Sequence, residues 1–196
     1  MQNEKRHAFC KSSLTVREDA ADKYIEGYFA VFDAPTELFH GYIESIAKGA
    51  FANSLKNNDI RCLFNHDKAA VLGRMSNNTL ELSEDEKGLF GRVKINPADS
   101  DALNTYAKVQ RGDISGCSFG FYPVEEKSEI DDDGTYRSTI IEADTWEVSI
   151  CTFPAYEQTE IQARHADADK AKERLLSVRK EKIREKIGGI EKCLNN

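Results

Sequence analysis

The sequence predicts a mainly β protein of the α+β class, in which short strands form a barrel or a sandwich and a few helices lie outside it. Two observations support this prediction. Between residues 13 and 153, short runs of apolar, β-branched and aromatic residues recur at even spacing, and turn-forming residues separate them. Helical periodicity is confined to a few segments, of which 99–110 and 167–187 are the longest.

Length and composition limit the possible architectures. A chain of 196 residues can form one ordinary domain with a sizeable core and some tail left over. A hydrophobic content of 40% and a charged content of 31% are typical of a soluble protein. No apolar run approaches the roughly 20 residues that cross a bilayer. Residues 1–7 lead into no apolar signal core, so we expect neither a membrane span nor secretion.

The net charge of −7 is unevenly distributed. The first 164 residues carry 18 Lys/Arg against 28 Asp/Glu, whereas residues 165–196 carry nine against six. Phosphate contacts need a basic surface, and an acidic body does not provide one. We therefore expect no nucleic-acid partner.

Several motifs for metals and cofactors are missing. The five cysteines are scattered and show no Cys-x-x-Cys spacing, which argues against a disulfide framework or structural zinc and favours a reducing cytosol. The sequence has no glycine-rich phosphate loop and no His-Glu-x-x-His pair. The acidic run at 131–134 lacks the glutamate that ends a calcium loop. The sequence thus predicts no metal and no cofactor.

The first half of the chain has the pattern of strands separated by turns. Residues 1–12 are polar, and we expect a loose start there. A short helix is predicted at Gly49–Lys56, because Asn57, Asn58 and Asp59 then end it. The predicted strands are Ser13–Arg17, Tyr24–Phe32, Tyr42–Ile46, Ile60–Phe64, Val71–Met75, Thr79–Ser83 and Gly88–Ile95.

The second half begins with a predicted helix at Asp99–Gln110. Asp99 or Ser100 is its candidate N-cap, and Gly112 ends it. A strand of about eight residues is predicted within Asp113–Tyr122. A hairpin turn at Asp131–Gly134 and a final strand before Pro154 complete the pattern, with strands at Val124–Ile130, Tyr136–Ala143 and Thr145–Phe153.

The character of the sequence changes after Gln162. We predict one folded domain over residues 1–157, a linker over 158–168 and a charged helical tail over 169–196. An apolar residue recurs every seven positions in the tail, which fits either a coiled-coil partner face or docking on the same domain. These residues are Leu176, Ile183 and Ile190.

Ser118 is the candidate nucleophile. Alternation in a strand puts it between Gly116 and Gly120 on one face, and puts Cys117 with aromatic residues on the other, as part of the core. Since neither glycine has a side chain, backbone or a ligand can approach the Ser118 hydroxyl, as a nucleophile requires. The alternative is a bulge or a tight packing contact.

A serine nucleophile needs a base, and the chain offers four histidines. His7 lies in the predicted loose start and His165 in the predicted linker, so we expect neither to be well placed. His40 lies in a loop without supporting neighbours. His66 follows a predicted strand and should be partly buried, as a positioned base requires. The alternative is a strand-end histidine that satisfies backbone groups.

Glu147 is the candidate for the third group, which holds the imidazole in one tautomer. Alternation puts it on one side of its strand with Ser149 and Cys151. A glutamate that alternates with apolar residues is also typical of the wet face of a strand. Spacing alone does not bring Ser118, His66 and Glu147 together.

Six segments, in this order, resemble the prohead proteases of tailed bacteriophages and prophages. They are Gly27–Asp33, Ile46–Phe51, Leu63–Asp67, Val71–Arg74, Gly112–Phe121 and Glu147–Ala155. The resemblance covers roughly residues 24–156. This family is similar to the herpesvirus assemblins, so the resemblance implies a closed or partly closed β-barrel ringed by helices.

The resemblance also implies a function and a set of site residues. It implies a serine endopeptidase inside the immature capsid, in the host bacterial cytoplasm, that cleaves scaffold or the scaffolding domain of the major capsid protein and then cleaves itself. It selects Ser118 over Ser115 and matches His66 to the family base. Assemblins use a second histidine, and none stands in a matching place here, so Glu147 is taken as the third member. The tail then fits a scaffold-like or targeting segment that is removed after residues 158–169.

Two other functions remain open at this point. One is a capsid- or scaffold-binding module that has kept the fold without the chemistry. The other is an esterase or another acyl hydrolase. The sequence also leaves open the cleavage-site preference and whether the chain forms a homo-oligomer.

Overall fold

A computed structural model describes residues 5–11, 14–19 and 22–153, together with residues 169, 173, 176, 177, 180 and 184 of the tail. Strands make up most of the first three ranges, and the helices α1 (Ala52–Asn57) and α2 (Ser100–Arg111) lie between them. The prediction of a mainly β chain with a few helices is confirmed. The described tail positions are helical and exposed, but the linker at 158–168 lies outside the described residues.

The strands pair into a seven-stranded and a four-stranded sheet within the described ranges. In chain order they are β1 Arg6–Lys11, β2 Thr15–Asp19, β3 Asp22–Val31, β4 Thr36–Phe39, β5 Tyr42–Ile46, β6 Arg61–Phe64, β7 Asp67–Arg74, β8 Leu80–Glu84, β9 Gly88–Ile95, β10 Gly116–Ile130 and β11 Tyr136–Cys151. The larger sheet has the order β1-β10-β11-β5-β4, and β6, with β7 as its partner, also pairs with β11. The smaller sheet has the order β2-β3-β9-β8. The pairings among described strands do not close into a ring, so barrel closure stays a prediction.

The loose start predicted for residues 1–12 is wrong for Arg6–Lys11, because β1 pairs antiparallel with β10 along its whole length, whereas residues 1–4 and 12 lie outside the described residues. Its residues alternate, with Ala8 and Cys10 buried in the core and His7 and Phe9 on the opposite face. Arg6 is held by an ion pair with Glu126 at 3.0 Å. The charged residues around this short strand hide its alternation in the sequence. Because of its pairing with β10, the N-terminal strand lies directly beside Ser118.

The strands β10 and β11 form one long hairpin, whereas the sequence predicts two shorter strands on each side. Register shifts near Gly120, Pro123 and Glu125 let the pairing continue past Pro123, which has no N–H to donate. The strand predicted within Asp113–Tyr122 does not include the first three residues of that stretch. The Asp113 amide donates to the Lys108 carbonyl at the end of α2, and β10 begins only at Gly116.

The core lies between the sheets and contains the predicted aromatic stripe of β10. Phe119 packs edge-on against Phe51 at 5.0 Å between ring centroids and lies 5.1 Å from Phe121. Cys117 is fully buried beside them, which confirms its prediction as a core residue. No helix of the described residues is long and apolar enough to cross a membrane.

The boundaries of α2 follow the predicted capping residues. The Asp99 side chain accepts hydrogen bonds from the amides of Asp101 and Ala102, which otherwise have no helical partner. Gly112 ends the helix in the left-handed region at φ 85°. This stop returns the chain to the sheet just before Ser118.

Candidate active site

His66 lies in a two-residue turn between β6 and β7. Phe64 pairs with Asp67, and the two residues between them have positive φ, 51° at Asn65 and 62° at His66, as in a type I′ turn. Asn65 ties this turn to the end of β11, because its Oδ1 accepts from the Thr152 amide at 2.9 Å. The turn is thus fixed against the same strand that carries Glu147.

The side chains of His66 and Glu147 are in direct contact. His66 Nδ1 lies 2.5 Å from Glu147 Oε1, and the Glu147 side chain is only 1% exposed. Ser149 donates its hydroxyl to the other carboxylate oxygen at 2.6 Å. His7 also approaches the carboxylate, with its Nε2 3.3 Å from Oε1. Glu147 is therefore not on a wet strand face, and the structure brings it together with His66.

The charge of Glu147 is set by two opposing effects. Burial by itself raises the pKa of this carboxyl group, but hydrogen bonds from His66, His7 and Ser149 outweigh it and lower the pKa to about 2. The carboxylate is therefore ionised at neutral pH. An ionised acceptor favours the His66 tautomer that carries its proton on Nδ1, which leaves Nε2 unprotonated and able to act as a base.

Ser118 lies on the same face of the sheet as this pair. It pairs with Ser149, while its neighbours Gly120 and Gly116 pair with Glu147 and Cys151. His66 contacts both ends of that β11 stretch, because its Nδ1 meets Glu147 and its Nε2 lies 3.7 Å from Cys151 Sγ. The imidazole thus spans the part of β11 that lies opposite Ser118.

The Ser118 hydroxyl itself points elsewhere. It donates to the Ala8 carbonyl of β1 at 2.9 Å, and among the described residues no hydrogen bond joins it to His66. Ser118 is also fully buried. The structure therefore shows a shared face for the three predicted site residues, with the serine bonded to β1 rather than to the base.

The two glycines beside Ser118 do not leave open space. A Cβ atom on Gly116 would lie 2.9 Å from the Phe9 ring, and one on Gly120 would lie 2.4 Å from the Trp146 ring and 2.8 Å from Glu147 Oε1. The expectation that the glycines make the hydroxyl accessible is wrong in this arrangement. Instead, they provide room for the aromatic rings and for the carboxylate.

His7 is the neighbour that sequence reasoning missed. Its ring centroid lies 4.3 Å from that of His66 and 5.5 Å from that of Trp146. The signal for its position was the alternation of His7 and Phe9 with Ala8 and Cys10, which predicts a strand. His7, His66 and Glu147 each present one ligand atom within 4.8 Å of the others, so this group could hold a metal ion.

The remaining candidates do not join the site. His40 is fully exposed, 3.8 Å from Glu37, and His165 lies outside the described residues. A cavity of about 240 Å³ opens between β1, β3 and β5, but neither Ser118, His66 nor Glu147 lines it. Among the described residues, the groups suited to catalysis thus lie around the His66–Glu147 contact.

Two comparisons with known proteins show the family of this chain, and a third shows its fold. The family model of the caudovirus prohead serine proteases matches residues 12–174. The prohead protease of Enterobacteria phage HK97 is 33% identical over 159 residues, which span 80% of this chain and 66% of that protein's length. The structure of the bacteriophage T4 capsid assembly protease shows the same fold, with a TM-score of 0.51 at 11% identity, over 76% of this chain and 99% of that chain.

Proposed function

We propose that this chain, which belongs to the caudovirus prohead serine protease family, is a serine endopeptidase of phage capsid maturation. The observation that carries the proposal is the contact between His66 and the ionised Glu147, on the same sheet face as Ser118. An imidazole held by a buried carboxylate forms two members of a serine-protease triad, in which the serine hydrogen-bonds the other ring nitrogen. We assign Ser118 as nucleophile, His66 as base and Glu147 as the residue that orients the base.

The proposed reaction requires Ser118 to leave its hydrogen bond with Ala8. Rotation about the Cα–Cβ bond moves the hydroxyl between staggered positions, and one of them directs it toward β11. His66 Nε2 then takes the proton as the serine oxygen bonds to the scissile carbonyl carbon. The same proton passes to the leaving amine as the peptide bond breaks, and water, activated by His66, hydrolyses the acyl-enzyme.

The N-terminal strand is the element that must move to admit a substrate. Phe9 lies against Gly116, and the Ala8 carbonyl holds the Ser118 hydroxyl. Since β1 pairs only with β10 among the described strands, its displacement breaks pairing with that one strand. The structure therefore corresponds to a closed form of the proposed enzyme.

The proposed substrates are the scaffold or the scaffolding domain of the major capsid protein, inside the immature capsid in the host cytoplasm. This part of the proposal rests on the names of the relatives, a prohead protease and a capsid assembly protease. The chain spans 66% of the HK97 relative. We further propose that residues 169–196 recruit the enzyme to the assembling capsid and that self-cleavage within residues 158–169 removes them.

A cysteine nucleophile is the second candidate, because Cys151 Sγ, rather than Ser118 Oγ, lies next to His66 Nε2 at 3.7 Å. Two properties oppose it. Cys151 is 1% exposed, and burial raises the pKa of its thiol to about 12. A thiol acts as a nucleophile in its ionised form, so we favour Ser118.

Co-expression with the cognate major capsid protein, followed by mass measurement of both chains, tests the proposal. Ser118→Ala and His66→Ala should leave the capsid protein and the chain itself uncut. Cys151→Ser and the exposed control Ser83→Ala should still cut. Cleavage by Ser118→Ala would overturn the assignment, and loss of cleavage in Cys151→Ser alone would favour the cysteine.

The same experiment, together with an assay of small esters and peptides, separates the other functions. A binding module predicts normal capsid assembly and unchanged chain masses in the unaltered protein and in both variants. An acyl hydrolase predicts turnover of small esters without turnover of capsid-derived peptides. A trimmed tail in Ser118→Ala would show that another protease removes it.

A further inference from the structure

We propose that His7, His66 and Glu147 bind a zinc ion, and that this ion switches the proposed protease off. Each residue presents a ligand atom within 4.8 Å of the other two. Two imidazoles and one carboxylate are a donor set of open zinc sites, in which water takes the fourth position. The three residues come from β1, the β6–β7 turn and β11, so the fold rather than a local motif assembles the group.

Two of the three separations between the ligand atoms fit a tetrahedral ion after a small adjustment. Bonds of about 2.1 Å to a tetrahedral zinc ion separate neighbouring ligand atoms by about 3.4 Å. His7 Nε2 and Glu147 Oε1 are already 3.3 Å apart. His66 Nδ1 and the same oxygen are 2.5 Å apart, so this pair must open by roughly 1 Å, which rotation of either side chain provides.

The surroundings allow an ion to enter and to stay. The side chains of His7 and His66 are 13% and 14% exposed, whereas that of Glu147 is 1% exposed. An ion can thus reach the imidazoles from solvent and meet the carboxylate in a poorly hydrated site. Ser149 holds the second oxygen of Glu147 by a hydrogen bond, which orients the carboxylate from behind.

Zinc at this position would act on two parts of the molecule. It would replace the hydrogen bond between His66 and Glu147, and so remove the base of the proposed function, on which this half of the inference rests. It would also connect His7 on β1 to the turn that carries His66. Because β1 covers Ser118, the ion would hold the closed form together.

Metal binding is tested without reference to catalysis, in the full chain carrying Ser118→Ala and Cys193→Ser. The first change removes the proposed nucleophile, and the second removes a thiol that could itself bind the metal. Cobalt(II) serves as the optical probe and zinc as its competitor. We expect one tightly bound ion with tetrahedral d–d bands and without a thiolate charge-transfer band. His7→Gln should lower the affinity at least about tenfold, as loss of a ligand weakens a site more than loss of its supporting bonds. The exposed control His40→Gln should leave the affinity unchanged.

Any of three outcomes would overturn the proposed metal site: no bound cobalt, a thiolate charge-transfer band, or equal metal affinities in the His7→Gln and unaltered proteins. Hydrogen exchange of the β1 amides gives a second measurement on the chain with native His7, and zinc should slow it. Unchanged exchange at full occupancy would refute the clamp on β1.

The switch is tested last, with the active chain and a capsid-derived peptide. Zinc should inhibit cleavage at the concentration at which it binds, and a chelator should restore the rate. Binding without inhibition would refute the switch and leave the metal site. An inactive chain that still binds zinc through His7 would contradict the proposed function alone.

Discussion

The Nδ1 atom of His66 and the Oε1 atom of Glu147 lie 2.5 Å apart, although 81 positions separate the residues along the chain. Two features of the fold produce this contact. The strand β6 runs parallel to β11, with Leu63 beside Ser149. The turn that follows β6 then folds His66 back over the neighbouring Glu147. A short strand and a two-residue turn thus determine which acid meets the base.

Replacing Glu147 with glutamine should disable the proposed enzyme and leave its fold intact. The amide keeps the size of the side chain but removes the charge that fixes the His66 tautomer. The equivalent change in a well-studied serine protease lowers kcat about 10⁴-fold, and we expect a loss of that order in peptide cleavage. Glu129→Gln, on the exposed part of β10, is the matched control. Near-normal kcat in Glu147→Gln would remove Glu147 from the mechanism.

The acid stability of the chain should carry a signature of Glu147. Its pKa is about 2 in the folded protein, against an ordinary value of 4.5. A lowered pKa contributes stability above about pH 4.5 that is lost as the pH falls toward 2, because the unfolded chain binds the proton first. The free energy of unfolding should therefore fall more steeply with acidification in the native protein than in Glu147→Gln. Urea titrations at several pH values measure this slope, and equal slopes would contradict the lowered pKa.

Much of the fold follows from alternation in the sequence, and the failures have identifiable causes. The strands Tyr42–Ile46 and Gly88–Ile95 begin and end where they are predicted, because clear turns flank each one. The strand β1 was missed because the charged residues Lys5, Arg6 and Lys11 flank its short alternating run. The break predicted at Pro123 is absent because shifts in register accommodate the proline.

The sequence predicts which site residues share a face of one strand, but not which strands bring these residues together. Alternation correctly groups Glu147 with Ser149 and Cys151, since all three take part in the contacts around His66. Which strands lie side by side is decided by long-range pairing, which no local pattern encodes. The position of His7, the bond between Ser118 and β1, and the rings above the glycines all depend on that pairing.

Gly120→Ala should impair the site without replacing any of its polar groups. The added Cβ would lie 2.8 Å from Glu147 Oε1 and 2.4 Å from the Trp146 ring, so the carboxylate has to move away from His66. We expect peptide cleavage to fall at least about tenfold and stability to fall by about 1–3 kcal/mol, as in other overpacked sites. The control is Gly134→Asn in the distal hairpin turn, where no atom lies within 4 Å of an added Cβ. Normal cleavage by Gly120→Ala would show that the carboxylate position is not critical.

Asn65→Ala should destabilise the turn that carries His66. Alanine is unfavourable at φ 51° by about 1 kcal/mol, and the change removes hydrogen bonds to Thr152 worth about 1 kcal/mol. We expect a loss of about 2 kcal/mol in urea unfolding, together with a lower kcat. Asn78→Ala isolates the backbone effect, because Asn78 has φ 57° and its side chain makes no hydrogen bond within the described ranges. It should lose about 1 kcal/mol and retain activity, and equal losses at both sites would contradict the role of Thr152.

Alkylation of thiols should leave the proposed protease active, although Cys151 lies 3.7 Å from His66. Burial raises the pKa of the Cys151 thiol to about 12, so at pH 7 only about one molecule in 10⁵ carries the reactive thiolate there. Cys62 and Cys117 are also fully buried, and burial raises the pKa of each thiol well above its ordinary value. Iodoacetamide should therefore modify none of these three in the folded chain, as peptide mass mapping would show. A fluorophosphonate should instead label Ser118 at the rate at which β1 opens. Inactivation that parallels modification of Cys151 would transfer the role of nucleophile from the serine to the thiol.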